Sequence, residues 1–342
     1  MLHDLILEPC ENKNAEIYYD KFALDADFVD NDSVMTVNFI CGEQKYYYEV
    51  HFNNKSVTYE LLRRHPFGAL KEHDVFTRTT DVEKGVSTIK WSSKYKLASK
   101  TRGLIDNLIQ NRTVFGAFQN TNVDIPWMKE IIDWVECYMF PLVLPTPQGL
   151  FRDITEQIAE LRIDKEIMVK HLNKADIGIS DFVIEKIDDD TFNKYEIRFV
   201  HNGLQGDVLF DVREESEGTK RYYELSGILM LLVKEKHFVA IDELECRLHP
   251  DLYEHFVLTY LKNAKESQII VTTHSREFLN DRGLFRDDSV WITEKNDLGA
   301  TNVYSLADFD SDFLRNTTNR YNMYKAGRLG GVPRLQDTDF GN

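Results

Sequence analysis

The sequence has 342 residues, of which 42% are hydrophobic, and this composition excludes a disordered chain and a small disulfide scaffold. Its formal net charge of −16 at pH 7 disfavours nonspecific coating of nucleic acids, because such a surface repels phosphates on average. The four cysteines stand singly, without zinc-ligand spacing, so we expect a reducing compartment and no structural metal. No apolar run is long enough for a membrane span and the amino terminus lacks a secretory signal, which predicts a cytoplasmic protein without membrane partners.

Alternating patterns dominate the first part of the chain. Residues 1–14 have the spacing of the last turns of a helix, and we expect them to be a helix remnant. In residues 17–91, apolar positions recur at every second residue between clusters of turn residues, which predicts an antiparallel β meander. Residues 100–140 are apolar on one helical face, so we group the meander and these helices as a first lobe, residues 15–140.

The middle of the chain predicts a helical lobe, residues 141–190. Asp153 and Glu156 have the spacing of a capping box, so we expect one helix to begin at Asp153 and to continue through Leu172. Alternating runs within residues 195–212 then predict a β hairpin.

In the last part, residues 191–342, helices and strands alternate with short links, which is typical of a parallel α/β sheet. We expect helices at 219–234, 250–264 and 276–280, strands at 238–241 and 268–272, and an edge hairpin at 289–293 and 301–306. The fold class is therefore predicted as α/β, with a parallel-sheet core, an N-terminal antiparallel meander and an inserted helical lobe.

The strand predicted at 238–241 ends in two carboxylates, Asp242 and Glu243. Ligands of open α/β sheets bind outside the carboxyl ends of the strands. Mg²⁺ takes one or two carboxylates together with phosphate oxygens and waters, which suits Asp242, whereas Glu243 could polarise an attacking water. An ordinary strand that ends in a polar loop would have the same sequence pattern. The acidic pair alone therefore does not decide between a ligand site and a simple strand end.

The next predicted strand is followed by Thr273, His274 and Ser275. Because neighbouring parallel strands end at the same edge, we expect His274 to lie beside Asp242 and Glu243. A histidine there can bond a γ-phosphate or hold the attacking water. A helix-capping or core role is the alternative for a single histidine, but two adjacent polar strand ends favour function.

Two further segments lie at predicted helix starts. Ser216, Gly218 and Thr219 supply hydroxyls and bare backbone N–H groups at a helix amino terminus, which suits an anion, although such residues also cap many ordinary helices. Pro250 is typical of a first helical position, so the segment before it also has a purely structural interpretation.

In this order the segments resemble the motifs of ATP-binding-cassette and SMC-like ATPases. The signature of these ATPases corresponds here to Ser216, Gly218, Thr219 and Lys220, and the end of their Walker B strand corresponds to Asp242 and Glu243. Their D-loop corresponds to Leu248, His249 and Pro250, and their switch histidine corresponds to His274. The resemblance implies an ABC-type P-loop NTPase-like core that binds ATP and Mg²⁺ between two copies of the chain. It further implies that the signature touches the γ-phosphate in trans, Asp242 holds the metal and Glu243 is the general base.

Two further segments, 175–179 and 324–333, are similar to a narrower group, the AAA-type ATPases tied to bacterial abortive infection and antiphage defence. That similarity implies an effector partner, for which a nuclease is one candidate. No run in the sequence matches the P-loop pattern Gly-x-x-x-x-Gly-Lys-Ser/Thr. The family carries this loop before the meander, so we expect the chain to begin downstream of it.

Three functions stay open at this stage. The first is an ATPase subunit that forms a homodimer or higher homo-oligomer and acts with an effector. The second is a catalytically silent, ATPase-shaped interaction module, favoured by the missing P-loop and disfavoured by Glu243 and His274. The third is a DNA-associated, SMC-like repair ATPase, suggested by basic and aromatic residues in the carboxy-terminal part: Arg320, Tyr321, Tyr324, Lys325, Arg328 and Arg334.

Overall fold

The computed structural model describes residues 1–68, 71–95, 97–106, 109–146, 149–187, 194–280, 283–310, 319–333 and 335. The chain divides into two compact units. The first unit comprises Met1–Met139 together with Phe285–Asn342, and the second unit is Phe140–Leu284. The predicted signature, Walker B, D-loop and switch-histidine residues all belong to the second unit.

A five-stranded antiparallel sheet in the order β1-β2-β3-β4-β5 forms the centre of the first unit. It follows a short helix, α1 (Leu2–Leu7), and its strands are β1 (Ser33–Cys41), β2 (Gln44–Phe52), β3 (Val57–Pro66), β4 (His73–Asp81) and β5 (Val86–Trp91). On β2, every second residue from Tyr46 to Phe52 is buried, because alternate side chains of a strand point to one face. The predicted meander is therefore confirmed.

Three helices follow the sheet in sequence and complete the core of the first unit. They are α2 (Ser99–Asp106), α3 (Val114–Gln119) and α4 (Pro126–Tyr138). Thr113 caps α3, since its side chain accepts the backbone N–H of Gly116. Phe115 of α3 and Met128 of α4 belong to the same buried cluster as Phe76 of the sheet, which explains the single apolar face seen in the sequence.

A fully buried ion pair crosses this core. Arg78 and Glu60 are both 0% exposed, and Nη1 of Arg78 lies 3.4 Å from Oε2 of Glu60. Glu60 also accepts the hydroxyl of Tyr48 at 2.8 Å and the backbone N–H of Val114 at 2.9 Å. The guanidinium donates to three further oxygens, which are the carbonyls of Gln110 and Arg112 and the hydroxyl of Ser87.

The second unit begins with two helices, α5 (Leu150–Ala159) and α6 (Lys165–Lys174). The prediction of one helix that begins at Asp153 is wrong, because Gly149 is the N-cap and Asp153 lies inside the first turn. The chain leaves the helical conformation at Leu161, whose φ is 61°. Asp164 then caps α6 by accepting the backbone N–H of Ile167 at 3.1 Å, so the stronger capping signal lies at this second aspartate.

A three-stranded antiparallel sheet follows, in the order β6-β7-β8. Its strands are β6 (Ile179–Lys186), β7 (Tyr195–Gly203) and β8 (Gly206–Asp211). The predicted hairpin is β7 and β8, which confirms that prediction. Strand β6 was not predicted, because its register shifts between Ile179 and Asp181 and the shift interrupts the alternation of its buried residues.

Helices and parallel strands then alternate as predicted. The elements are α7 (Glu217–Lys234), β9 (Phe238–Ile241), α8 (Pro250–Asn263) and β10 (Gln268–Val271). Strands β9 and β10 pair in parallel, and Val143 forms a parallel bridge to Ile241. The α/β class with a parallel pair of strands is therefore confirmed, whereas the helix predicted at 276–280 is only a short 3₁₀ turn, Glu277–Leu279.

The chain returns to the first unit with an antiparallel hairpin, β11 (Trp291–Lys295) and β12 (Thr301–Ser305), and a short helix, α9 (Arg320–Lys325). The predicted hairpin is confirmed, but its predicted place at the edge of the parallel sheet is wrong, because β11 and β12 form a separate two-stranded sheet of the first unit. Leu329 is buried, and its carbonyl accepts the Tyr304 hydroxyl at 2.8 Å, which fixes the tail on the hairpin. Among the described residues, no helix combines the length and apolar character that crossing a bilayer requires.

Candidate functional site at the edge of the parallel strands

Thr272 joins the ends of the two parallel strands. Ile241 and Val271 are in register, so Asp242 and Thr272 follow at the same level of the sheet. The Thr272 hydroxyl donates to Oδ1 of Asp242 at 2.5 Å and accepts the backbone N–H of Glu243 at 2.9 Å. This bridging role was missed in the sequence, where Thr272 is only one of several polar residues after a strand.

Glu243 and His274 lie side by side at this edge. Oε1 of Glu243 is 3.7 Å from Nε2 of His274, and the two side chains are 44% and 87% exposed. The predicted proximity of the histidine to the acidic pair is thus observed for Glu243. Glu243 has a φ of 45°, an uncommon backbone conformation for a non-glycine residue, and its neighbour Leu244 is fixed by a backbone bond to Thr272 at 3.0 Å.

A third carboxylate, that of Glu245, hydrogen-bonds the segment that follows β10. Its Oε1 accepts the backbone N–H of His274 at 2.7 Å, so it holds the histidine segment against the turn that follows β9. Within this turn, Glu243–Leu248, the N–H groups of Cys246 and Leu248 donate to the carbonyls of Glu243 and Glu245. The sequence signal for Glu245 was its place in the run Asp-Glu-Leu-Glu, but its partner depends on the parallel register.

The predicted signature residues form an N-cap at α7. Ser216 Oγ accepts the backbone N–H of Thr219 at 3.0 Å and lies 2.8 Å from the Thr219 hydroxyl. Lys220 forms an ion pair with Glu217, and this hydrogen bond lowers the pKa of the Glu217 carboxyl. These side chains are therefore mutually bonded at the amino terminus of the helix, where free N–H groups and the helix dipole favour anions.

The signature contacts the turn Glu243–Leu248 of the same chain. A Cβ atom at Gly218 would lie 2.8 Å from the carbonyl oxygen of Arg247, so only glycine permits this approach. The Arg247 guanidinium reaches back to Oε2 of Glu217 at 2.5 Å, and Arg247 itself has a φ of 65°. Gly218 is thus required for close packing, which its place in a signature-like motif did not by itself reveal.

The predicted D-loop residues lie at the start of α8. His249 is the N-cap, its Nδ1 accepts the backbone N–H of Asp251 at 3.3 Å, and Pro250 occupies the first helical position. Leu248 is half-buried in the preceding turn. This geometry is what an ordinary helix start requires, so a further role for these three residues stays a prediction.

A cluster of two histidines and a tyrosine, of which His171 and Tyr222 are buried and His255 is half-buried, joins α6, α7 and α8. The Tyr222 hydroxyl lies 3.1 Å from Nε2 of His171 and 2.5 Å from Nδ1 of His255. The two imidazoles stack with their centroids 4.9 Å apart. Burial lowers the pKa of His171 to about 4, so this ring is neutral at pH 7, and burial also lowers the pKa of His255.

This cluster predicts a pH dependence of stability. Because the pKa of His171 is lower in the folded than in the unfolded chain, acid favours the unfolded state, and about 3 kcal/mol is lost between pH ~6.5 and ~4. Burial raises the pKa of Glu224 to about 7, which has the opposite sign over the same range. Because the two contributions oppose each other, the His171 contribution is measured as the difference in the free energy of unfolding between the wild type and His171→Gln, obtained by urea unfolding. That difference should shrink as the pH falls, and a constant difference would contradict the prediction.

The basic residues considered for DNA binding belong to the first unit. Arg320 is buried, donates to the carbonyl of Phe285 at 3.2 Å and pairs with Asp287 at 2.5 Å, so its charge is already engaged. Tyr324 donates its hydroxyl to the carbonyl of Gly331 at 3.0 Å. Arg334 lies outside the described residues, so the basic surface stays a prediction.

Residues 128–280 match the model of a protein family described as "AAA domain, putative AbiEii toxin, Type IV TA system". The match covers less than half of the chain and includes the signature-like helix start, both parallel strands and the polar residues that follow them. This part of the chain is therefore similar to AAA-type ATPase domains. No curated protein matches the sequence.

Two solved structures of SMC heads are also similar to the chain. An SMC head bound to the C-winged helix domain of ScpA is 14% identical, with 77% of this chain and 74% of that chain covered and a TM-score of 0.40. The SMC head domain from Thermotoga maritima is 12% identical, with the same shares covered and a TM-score of 0.33. Both TM-scores are below 0.5.

Proposed function

We propose that this protein is an ATP-binding and ATP-hydrolysing subunit of ABC/SMC type, in which Asp242, Glu243 and His274 act on the triphosphate. One observation carries the proposal. The acidic pair that follows β9 and the histidine that follows β10 lie at one sheet edge, with 3.7 Å between Glu243 and His274. The match of residues 128–280 to an AAA domain supports the same chemistry independently.

The donor set at the sheet edge fits Mg²⁺ and a triphosphate. Asp242 uses Oδ1 for the Thr272 hydroxyl and keeps Oδ2 for a hard cation, which prefers carboxylate, phosphate and water oxygens. Among the described residues, no group of three or more His, Cys, Asp or Glu side chains could hold a metal, so phosphate and water would complete the shell. Bound Mg²⁺ would neutralise charge on the phosphates.

Glu243 and His274 would then handle the proton and the water. The exposed Glu243 carboxylate can accept a proton from an attacking water. The His274 imidazole, which follows the neighbouring strand, can orient that water or bond the terminal phosphate. The strained backbone at Glu243 and the bond from His274 N–H to Glu245 fix the two groups relative to each other. Positioning of this kind is the main contribution that a protein makes to phosphoryl transfer.

The amino terminus of α7 would complete the site from a second copy of the chain. Ser216, Gly218, Thr219 and Lys220 present N–H groups, hydroxyls and a cation there, which suits a terminal phosphate. We therefore propose a homodimer or higher homo-oligomer. The toxin-type description of the matched family supports an effector partner in antiphage defence.

A second candidate is a catalytically silent module of ATPase shape. Its support is the sequence itself, because none of the 17 glycines begins a Gly-x-x-x-x-Gly-Lys-Ser/Thr run. Without the backbone cradle and lysine of that loop, the phosphates would lack their usual ligands. This candidate predicts that partner binding is independent of nucleotide.

Phosphate release from ATP separates the two candidates. We expect Mg²⁺-dependent hydrolysis that EDTA abolishes, measured for this chain and for a version extended by any in-frame coding sequence upstream. Isothermal titration with ATP and Mg²⁺ should show binding in the same version that hydrolyses. Absence of both binding and hydrolysis in the two versions would contradict the ATPase and support the silent module.

A further inference from the structure

The position of the His274 side chain depends on the backbone that carries it. Its imidazole is 87% exposed, so packing against neighbouring side chains does not fix it. Residues 273–275 follow β10 without helical or strand structure, so no ladder of backbone bonds holds them either. One side chain that does hold this segment is Glu245, whose Oε1 accepts the His274 N–H at 2.7 Å.

Tyr253 of α8 holds the same segment through a second hydrogen bond. Its hydroxyl lies 2.5 Å from Oγ of Ser275, the residue that follows His274. Tyr253 is 3% exposed, and its ring packs edge-on against that of Phe278, with 5.3 Å between the centroids. Because a buried and packed ring has few alternative positions, its hydroxyl is a fixed point for Ser275.

A second tyrosine of α8 forms the corresponding bond at the other end of β10. Tyr260 donates its hydroxyl to the carbonyl of Ser267 at 2.7 Å, and Ser267 directly precedes β10. Tyr253 and Tyr260 are about two helical turns apart, so they lie on one face of α8. Helix α8 therefore bonds the chain at both ends of β10, and the Tyr253 bond is at the end that carries His274.

We propose that Tyr253 is a positioning residue that keeps His274 beside Glu243 through its hydrogen bond to Ser275. Glu245 bonds the N–H of His274, and Tyr253 bonds the residue after it, so the backbone is held on both sides of the imidazole. The consequence for catalysis rests on the proposed function, whereas the effect on the backbone at His274 does not.

The test removes one hydroxyl group. Tyr253→Phe keeps the ring that packs against Phe278, and hydrogen exchange at the His274 amide should accelerate roughly threefold to tenfold, as expected for the loss of one hydrogen bond. Ser275→Ala breaks the same bond from its other side and should repeat the acceleration. The matched control is Tyr260→Phe, which removes a hydroxyl of the same helix at the other end of β10 and should leave exchange at His274 unchanged.

A kinetic test applies to any version of the chain that hydrolyses ATP. Tyr253→Phe should lower kcat about threefold or more at an unchanged KM, because it disturbs the group that orients the water and not the binding of ATP. In a His274→Ala background the same substitution should have no further effect, since Tyr253 acts through His274.

Unchanged exchange at His274 in Tyr253→Phe, or an equal acceleration in Tyr260→Phe, would overturn the inference. A further loss of turnover in the His274→Ala background would also overturn it, because Tyr253 would then act by another route. If the wild type neither binds nor hydrolyses ATP, the proposed function fails, while hydrogen exchange still decides the role of Tyr253.

Discussion

Replacement of Arg78 by methionine is expected to lower the free energy of unfolding by about 3–5 kcal/mol, because it leaves the buried Glu60 carboxylate without its cation. The change also removes the donor from three oxygens on other segments, the carbonyls of Gln110 and Arg112 and the Ser87 hydroxyl. Burial already raises the pKa of Glu60, and the loss of Arg78 would raise it further. The penalty should therefore shrink at acid pH, where Glu60 is protonated.

Urea unfolding followed by circular dichroism measures this effect. The control is Arg63→Met on the neighbouring strand, which removes an ion pair with Asp74 whose partners are 41% and 55% exposed. Pairs exposed to that extent contribute about 0–1 kcal/mol, so the control should unfold close to the wild type. Equal losses of unfolding free energy in the two variants would contradict the prediction, because burial and the surrounding hydrogen bonds would then add nothing to the contribution of Arg78.

The contrast between these two arginines shows what periodicity predicts and what it leaves open. Alternation in residues 17–91 predicts the sheet, because a strand places every second side chain on one face. The same pattern does not predict whether a charged residue on the buried face forms an ion pair. Glu60 and Arg78 come together only through the register of β3 with β4, where they stand opposite each other.

Helix breaks were less predictable than helix faces. The apolar spacing between Ile154 and Leu172 continues across residues 160–164, so it favoured one helix where the structure has α5 and α6. The break depends on local backbone conformation at Leu161 and on the capping of Ile167 by Asp164. Asp153 also has the residue type of an N-cap, but α5 begins earlier, after Gly149, whose backbone is left-handed.

At the candidate site, one rule of sheet architecture predicted the central contact. Parallel neighbours end at the same edge, so the residues after Ile241 and Val271 had to meet, and Glu243 and His274 do. The contact between Gly218 and Arg247 follows no such rule, since it joins a helix start to a turn. The hydrogen bonds of Thr272 with Glu243 and of Glu245 with His274 likewise depend on distances in the folded chain, which the sequence pattern does not give.

Glu243→Gln is expected to reduce ATP turnover by about 10²–10⁴-fold while Mg²⁺-dependent ATP binding persists, in whichever version of the chain hydrolyses ATP. Glutamine keeps the shape of the side chain but cannot accept the proton of an attacking water. The carboxamide would occupy the same place 3.7 Å from His274, and Asp242 and Thr272 would keep their bond. Single-turnover phosphate release and ATP titration measure the two parts separately.

Two further variants accompany Glu243→Gln, one as a control and one as a test of His274. Glu254→Gln removes an exposed carboxylate from α8 of the same unit and should hydrolyse ATP at the wild-type rate. His274→Ala should slow turnover about tenfold or more, because it removes the group that orients the water but leaves the base. Full hydrolysis by Glu243→Gln would exclude Glu243 as the base. An unchanged rate for His274→Ala would leave this histidine with the structural role of a residue bonded to Glu245 through its backbone.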